Sequence, residues 1–516
     1  MSVVTINKLN DAYGYVVSDD VEVLKELYDS LTFFVPGYRF MPSYKNGWFD
    51  GRVRLMNLND RTFPLGLTDH ICEYCASKKI SCSLHPDVIQ SFVDMETRDI
   101  DVEDFLASKR FFSKGDRIYP REDQLEATVR AIHRKRCLNV CPTSFGKSIS
   151  ITMECLWYIH RGMRCLIIVP TKDLVDQFYN DIRDYATNEE GELEPWYPVV
   201  QRIYSGKTKE LEDNTDVCIS TWQSLSKIED DEYLNQFDVI IIDEVHRAKG
   251  SVIQSLMLKA TEVKYRTGWT GSLDEEQISE LLVKGLFGPE KTITTTKELM
   301  DKSIVADLSI QILRLRYPDE LCKDLINLDY HGQSTFIEQY QKRTNLLLRI
   351  VGTQTKTGLI FYKHIAHGEE IFEKARQMYP NRNVYLVHGG HFQLNDTKYK
   401  TFEDIKALIE EDENAIVIAN YQLASTGISI KHLYWMMFFV PIKSFISTVQ
   451  SIGRVLRVSK KKTKALLIDI VDDFSYKKRT KLSQNYAVKH FGERFSIYNV
   501  NQFDYKIKTI NIGDAK

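Results

Sequence analysis

Between about Lys114 and Ser303 the chain alternates short, almost wholly apolar runs with longer stretches in which apolar residues recur at helical spacing. The runs are CLNVC, RCLIIVP, DVCIS and FDVIIID. Continuous β-branched runs separated by amphipathic segments are the pattern of a parallel sheet covered by helices on both faces. A second series with the same rhythm extends from about Val305 to Asp473 and contains GLIFY, NVYLV, AIVIA, WMMFFV and ALLIDI. The two series predict two similar α/β lobes in tandem. Upstream, residues 1 to about 92 mix short apolar alternations with aromatic and basic residues and predict a small α+β accessory domain. The acidic stretch from Asp94 to Asp104 predicts a solvated linker or an exposed helix. The last forty residues are basic and aromatic and predict no definite element. The expected domains are therefore 1–110 (accessory), 111–303 (first lobe), 304–475 (second lobe) and 476–516 (basic C-terminal segment).

Composition narrows the class without changing the layout. A chain of 516 residues is too long for one compact core. With 43% hydrophobic and 27% charged residues it has the balance of a soluble globular protein. No run approaches the roughly 20 apolar residues that span a bilayer. The start, MSVVTINKLNDAYGYV, lacks the basic and apolar regions of a signal peptide. The nine scattered cysteines suggest a reducing interior, so a cytoplasmic protein without a membrane partner is expected. Net charge is only −3, but residues 443–516 hold 16 Lys/Arg against 6 Asp/Glu. A basic C-terminal portion is what a phosphate-tracking surface requires, although a solubilising face has the same composition.

The strongest chemical signal is CPTSFGKS, Cys141–Ser148, between the run CLNVC and the helical SISITMECLWYIH. A tight turn entering a helix collects unbonded N–H groups and the positive end of the helix dipole, which suits a triphosphate. Thr143 and Ser144 lie in the turn and Gly146 lets the backbone approach the phosphates. Lys147 would reach the β and γ phosphates and Ser148 would ligate Mg²⁺. Cys141 stands where the strict phosphate-loop pattern has glycine. About a hundred residues on, FDVIII ends in Asp243-Glu244-Val245-His246. At a strand's carboxyl end, Asp243 would hold Mg²⁺, Glu244 would take a proton from the attacking water, and His246 would face the nucleotide. Gln124, in IYPREDQLEA, stands where an amide would read adenine.

Other segments fit a nucleic-acid track. Thr171 and Lys172 in VPTKDLVDQF, and Thr221 and Trp222 in ISTWQSL, fall where strands lead into helices, a setting that holds sugar-phosphate backbone. Thr270-Gly-Ser272 follows another strand. In Gln450-Ser-Ile-Gly-Arg454-Val-Leu-Arg457 the two arginines share one helical face with Gln450. Arginines brought to a γ-phosphate stabilise the charge of phosphoryl transfer.

GKS, DEVH, TGS and QSIGRVLR stand in the order and spacing of superfamily 2 helicases, a resemblance that covers about Tyr119 to Asp473. It implies two RecA-like lobes and ATP and Mg²⁺ as cofactors. It further implies an adenine contact at Gln124, an ATP–Mg²⁺ site at Lys147, Ser148, Asp243 and Glu244, and arginine fingers at Arg454 and Arg457. Gly427 and Gln450 join the nucleotide site by the same resemblance, and Lys363 and Thr426 join Thr171 and Thr221 on the track. Ser429 stands where many relatives carry aspartate. FFVPGYRFMPSYKNGWFDGRVRLMN, Phe33–Asn57, is similar to the accessory domain of the UvsW-type recombination and repair helicases of tailed phages. FYKHIAHGEEIF and STGISIKHL extend that likeness.

The resemblance implies a monomeric motor acting on branched DNA: stalled forks, Holliday junctions, displacement loops and RNA–DNA hybrids. It also implies 3′ to 5′ polarity, a host-cell cytoplasmic location and phage recombination or single-strand-binding proteins as partners. In the accessory segment Arg39, Lys45, Arg52 and Arg54 interleave with aromatics, and the expectation is aromatics in the core and arginines toward DNA. An RNA helicase, a duplex translocase and a binding protein switched by ATP stay open as alternatives. Cys72, Cys75, Cys82 and His85 approach zinc spacing, but LTDHICEYCASKK reads as a helix and zinc is set aside.

Overall fold

The computed structural model describes residues 2–35, 37–204, 206, 209–230, 232–245, 251–271, 277–421, 430, 432–441, 452–453, 462–478 and 481–514. The chain forms two compact units, Met1–Cys141 with Phe145–Thr294, and Pro142–Ser144 with Thr295–Lys516.

Unit 1 opens with strands β1 (Val3–Lys8) and β2 (Tyr13–Val17). A short ribbon follows, β3 (Thr32–Phe34) and β4 (Arg52–Arg54), and then β5 (Thr62–Pro64) and β6 (Ser81–Leu84). Four of these make one sheet in the order β5-β2-β1-β6, and the ribbon stands apart. Both Cys72 and Cys75 lie on the helix Thr68–Ser77 that packs on this sheet. Next come the hairpin β7 (Phe111–Ser113) and β8 (Asp116–Ile118) and the strands of the first lobe. These are β9 (Arg136–Val140), β10 (Cys165–Val169), β11 (Val200–Ile203), β12 (Val217–Thr221), β13 (Val239–Asp243), β14 (Tyr265–Thr270) and β15 (Glu290–Thr292). All seven are parallel, in the order β11-β12-β10-β13-β14-β9-β15. Alternate residues feed separate cores on the two faces: Cys165, Ile167 and Val169 enter one, Leu166 and Ile168 the other. This is why the predicted runs have no polar phase.

The accessory domain is welded to this lobe. Leu281 sits in the accessory core, the Asp11 N–H donates to the Thr261 carbonyl at 2.8 Å, and the buried Arg136 guanidinium donates to the Asp11 carbonyl. Gly66 lies against the backbone at Lys284, where a Cβ would fall 2.2 Å from the carbonyl oxygen, so any side chain would force the two apart. The acidic stretch departs from expectation at its start. Asp94 is buried, accepting from Arg161 at 2.8 Å and from Thr97 at 2.9 Å. A carboxylate with a cationic partner loses less on leaving water than composition suggests. Glu96 and the acids of the helix Asp99–Ala107 stay toward solvent, and the helix buries Val102 and Leu106.

Unit 2 contains β16 (Asp307–Arg316), β17 (Gly358–Tyr362), β18 (Val384–His388), β19 (His391–Leu394), β20 (Thr397–Tyr399), β21 (Ile416–Asn420), β22 (Trp435–Phe438) and β23 (Lys464–Asp473). A hairpin, β24 (Tyr476–Lys478) and β25 (Lys481–Ser483), and a final strand, β26 (Asp504–Asn511), complete it. The large sheet runs β20-β19-β18-β21-β17-β22-β23-β16-β26, parallel except for the turn-back through β19 and β20. The last forty residues, without a predicted element, are thus part of this unit. Helix Tyr486–Val500 is fixed by Arg494, whose guanidinium meets Asp469 at 2.8 Å with both side chains buried, and by the Tyr498 hydroxyl donating to Asp469 at 2.8 Å. One buried ion pair with a third hydrogen-bonding partner hides the packing logic inside a basic sequence. No helix among the described residues is long and apolar enough to cross a membrane.

One buried acid gives a stability prediction. Glu154, on the helix Lys147–His160, is fully buried, accepts hydrogen bonds from Thr267 and Trp269, and is pushed up to about 7 by burial. Its folded-state value lies above the unfolded one, so the folded chain holds a proton that the unfolded chain releases, and stability falls as pH rises from about 4.5 to 7. The expected loss is about 3 kcal/mol. Glu154→Gln keeps the shape and removes the titration. Thermal melts at pH 5 and pH 8 should differ less for this variant than for the parent, and equal differences would refute the assignment.

Candidate nucleotide-hydrolysis site

At the carboxyl edge of the first sheet, β9 leads into the turn Cys141–Gly146 and the helix Lys147–His160. Two residues take the left-handed region, Ser144 at φ 74° and Gly146 at φ 87°. At Gly146 an added Cβ would lie 2.6 Å from the Gln124 side-chain nitrogen, so a side chain there would push that amide aside as well as meet left-handed backbone. The Gln124 amide donates to the Phe145 carbonyl at 2.8 Å, and its oxygen accepts from the Arg121 N–H at 2.9 Å. Arg121 donates to the same carbonyl at 2.6 Å. Gln124 is therefore a brace behind the turn, each end of its amide engaged once, and Arg121 is a second brace that sequence reasoning passed over. The Ser148 hydroxyl lies 2.7 Å from that of Tyr185, another residue with no signal in the sequence pattern.

Lys147 crosses to the end of β13. Its ammonium is 3.1 Å from a Glu244 oxygen and 3.7 Å from one of Asp243. Burial disfavours its charge, but the Glu244 and Asp243 carboxylates outweigh burial and hold the ammonium above its usual value. Burial raises Asp243, with Lys147 opposing and Glu244 adding to the rise. Glu244 sits at φ 56°, left-handed backbone that a non-glycine residue adopts at a cost of about 1–2 kcal/mol. Two carboxylates thus converge with one ammonium and the Ser148 turn at this edge. A hard oxygen set of this kind fits a divalent cation such as Mg²⁺, with Asp243 and the Ser148 hydroxyl as the residues to hold it.

In unit 1 the expected track residues fall on the same edge, after β10 next to β13 and at the end of β12 one strand further. Thr171, after β10, caps the next helix by accepting from the Leu174 N–H at 3.4 Å, and exposed Lys172 lies over the Tyr204 ring at 4.8 Å. Thr221, ending β12, is buried with its hydroxyl 3.0 Å from that of Ser224, and Trp222 packs partly against the core. Thr270 ends β14 fully buried. In unit 2, Lys363 follows β17 and is exposed. His246, Thr426, Gly427, Ser429, Gln450, Arg454 and Arg457 lie outside the described residues, as does Ser272.

The accessory segment corrects an expectation. The ribbon and its connection leave the four-stranded sheet, and among the described residues of 32–54 Phe33 and Val53 are those that pack against its core. Phe34 stacks on Tyr38 and Tyr44 meets Tyr38 edge-on, each at a centroid distance of 4.8 Å, whereas Phe40 and Trp48 are 81% and 84% exposed. So small an excursion has no second layer to cover all its rings. Arg39, Lys45 and Arg52 are exposed, with Arg52 lying over Phe34 at 4.7 Å. Arg54 differs. It pairs with Asp50, donates to the Tyr28 hydroxyl at 2.8 Å, and lines a cleft of about 940 Å³ against Leu258 and Leu282 of the lobe.

Comparison with known proteins agrees with this construction. Residues 117–274 match the family described as type III restriction enzyme, res subunit, and residues 6–85 match the family described as DNA helicase UvsW, N-terminal. Fold and site together define a superfamily 2 helicase with RecA-like lobes. Over 501 residues the chain is 30% identical to the ATP-dependent DNA helicase uvsW of Enterobacteria phage T4, covering 94% of this chain and 95% of that one. The crystal structure of T4 UvsW matches over 99% of both chains at 28% identity with a TM-score of 0.51. The chain belongs to the UvsW family of DNA helicases.

Proposed function

We propose that this chain is an ATP-dependent DNA helicase that unwinds or branch-migrates junctions: forks, Holliday junctions, displacement loops and RNA–DNA hybrids. The observation that carries the reading is the Lys147–Asp243–Glu244 cluster on a lobe fused to an accessory domain with outward aromatic rings. Lys147 draws the γ-phosphate, and Glu244 takes the proton of the attacking water. Asp243 and Ser148 hold Mg²⁺, which when bound neutralises phosphate charge. Gln124 reads adenine with the hydrogen-bonding capacity its bracing role leaves over. Arg454 and Arg457 are assigned to the γ-phosphate from the sequence pattern alone. Thr171, Lys172 and Lys363 hold backbone phosphates, and translocation runs 3′ to 5′ on a host-cytoplasmic DNA substrate.

Regression of a model fork, with 3′- and 5′-tailed duplexes for polarity and an RNA duplex for specificity, tests the reading. ATP-dependent regression is expected. Unwinding confined to the RNA duplex would replace the reading with that of an RNA helicase.

The accessory domain adds a separate prediction. Trp48→Ala should weaken binding to a forked DNA by about 5- to 100-fold, the range for loss of one base–aromatic stack. Thermal stability should hold, because the ring is 84% exposed. Unchanged affinity in fluorescence anisotropy would remove Trp48 from the DNA surface.

A further inference from the structure

Lys363 does not stand alone at the carboxyl edge of the second sheet. Its ammonium is 3.3 Å from the Tyr330 hydroxyl and 5.2 Å from the centre of that ring. Tyr330 opens the helix Tyr330–Gln339, and its ring meets Tyr486 edge-on at 5.7 Å and His490 at 5.6 Å. Both of those residues belong to the C-terminal helix Tyr486–Val500. Gln333 ties the two helices together. Its side-chain oxygen accepts from the Tyr486 N–H at 3.0 Å, and its amide donates to the Leu325 and Leu328 carbonyls at 3.2 Å each. With Arg494 anchored on Asp469, the C-terminal helix is a fixed wall beside Lys363 and not a loose tail.

That wall is basic and aromatic on its outer side. Tyr486 is 38% exposed, and the exposed Lys489 ammonium lies 5.3 Å from its ring centre. The hairpin before it follows the carboxyl end of β23, which is parallel to β17, so Lys477 lies at the same edge as Lys363 and is exposed. From Tyr476 to Lys489 the sequence has five lysines or arginines and no acid. Of the nearby acids, Asp329 accepts from the Gly332 N–H at 2.8 Å and Glu338 meets His364 at 2.8 Å, while exposed Glu493 stands one turn beyond Lys489 on the same helix.

We propose that Lys363, Lys477 and Lys489 with the Tyr486 ring form one surface that holds a single strand of DNA. The lysines meet phosphates and the ring stacks on a base. Tyr330 and His490 are positioning residues that set the direction of Lys363. The basic C-terminal segment is on this view a strand-holding element of the second lobe. The inference rests on the reading that Lys363 faces nucleic acid, and the test separates the two.

Binding of a labelled oligo-dT strand to the full chain is followed by anisotropy from 50 to 200 mM salt. Each phosphate contact on a single strand contributes about 0.7 to the slope of log affinity against log salt. Lys477→Gln/Lys489→Gln should lower that slope by about 1.4 and weaken binding about tenfold. Lys464→Gln, at the opposite end of β23, is the charge control and should change neither. Tyr486→Ala should weaken binding by about 5- to 100-fold and Tyr486→Phe should restore it. The lysine variants and Tyr486→Phe decide the matter if Tyr486→Ala unfolds. A double variant that behaves like Lys464→Gln, while Lys363→Gln weakens binding, overturns this inference alone. If Lys363→Gln also binds as the parent does, the track reading itself falls.

Discussion

Lys147→Ala is expected to lower ATP turnover by at least about 10³-fold, more than loss of one phosphate contact alone would give. The ammonium has two tasks. It would meet the developing charge on the γ-phosphate, and in the folded chain it stands 3.1 Å and 3.7 Å from Glu244 and Asp243. Without it, two partly buried neighbouring carboxylates lose a shared cation, and protonation of one of them is favoured. If that carboxylate is Glu244, the base is lost together with the phosphate contact. The same change has a stability signature with a definite sign. Raised carboxylates bind protons in the folded state that the unfolded chain has released. The variant should therefore gain stability relative to the parent as pH falls toward 5, and lose it as pH rises to 8. Single-turnover hydrolysis and melts at the two pH values check both parts. Turnover within tenfold of the parent would exclude Lys147 from the reaction.

Glu244→Gln should reduce kcat by about 10² to 10⁴, the range for loss of a general base, with little change in KM for ATP or in DNA affinity. Glutamine matches glutamate in size and meets the same left-handed backbone at φ 56°, so the variant isolates the proton-accepting function. The pairing with Lys147 weakens but the ammonium keeps Asp243. Steady-state hydrolysis beside equilibrium DNA binding measures the split. Full turnover by this variant would mean that ATP is not hydrolysed through Glu244.

The lobes were legible because parallel strands buried on both faces write themselves as unbroken apolar runs. CLNVC, RCLIIVP, DVCIS and FDVIIID became β9, β10, β12 and β13, each within a residue or two of its run. The turn at Gly146 and the carboxylates at Asp243 and Glu244 were legible for a related reason. They sit where a run stops, and the sheet's carboxyl edge gathers such stops into one crevice. What escaped notice depends on contacts distant in sequence. Tyr185 beside Ser148, Arg494 beneath Asp469 and Asp94 against Arg161 are polar residues whose neighbours, not their own types, decide their place. The rings of residues 34–52 misled in the opposite sense. Aromatic residues usually mark a core, but here the excursion is too thin to have one, and Phe40 and Trp48 face outward.

The pairing of β16 with both β23 and β26 bears on how the chain is made. Arg316 leaves the ribosome about 190 residues before the strand that will cover its open side. At roughly 5–20 residues per second that is some 10–40 s of synthesis. Unit 1 has its full sheet, its accessory domain and the Lys147 cluster before this wait begins. Unit 2 holds a ten-residue strand, apolar at about every second position, with neither neighbour until translation is nearly over. A stalled or shortened message that ends before Asp504 would thus release a competent nucleotide-binding half joined to an open sheet edge, a product prone to aggregation and proteolysis.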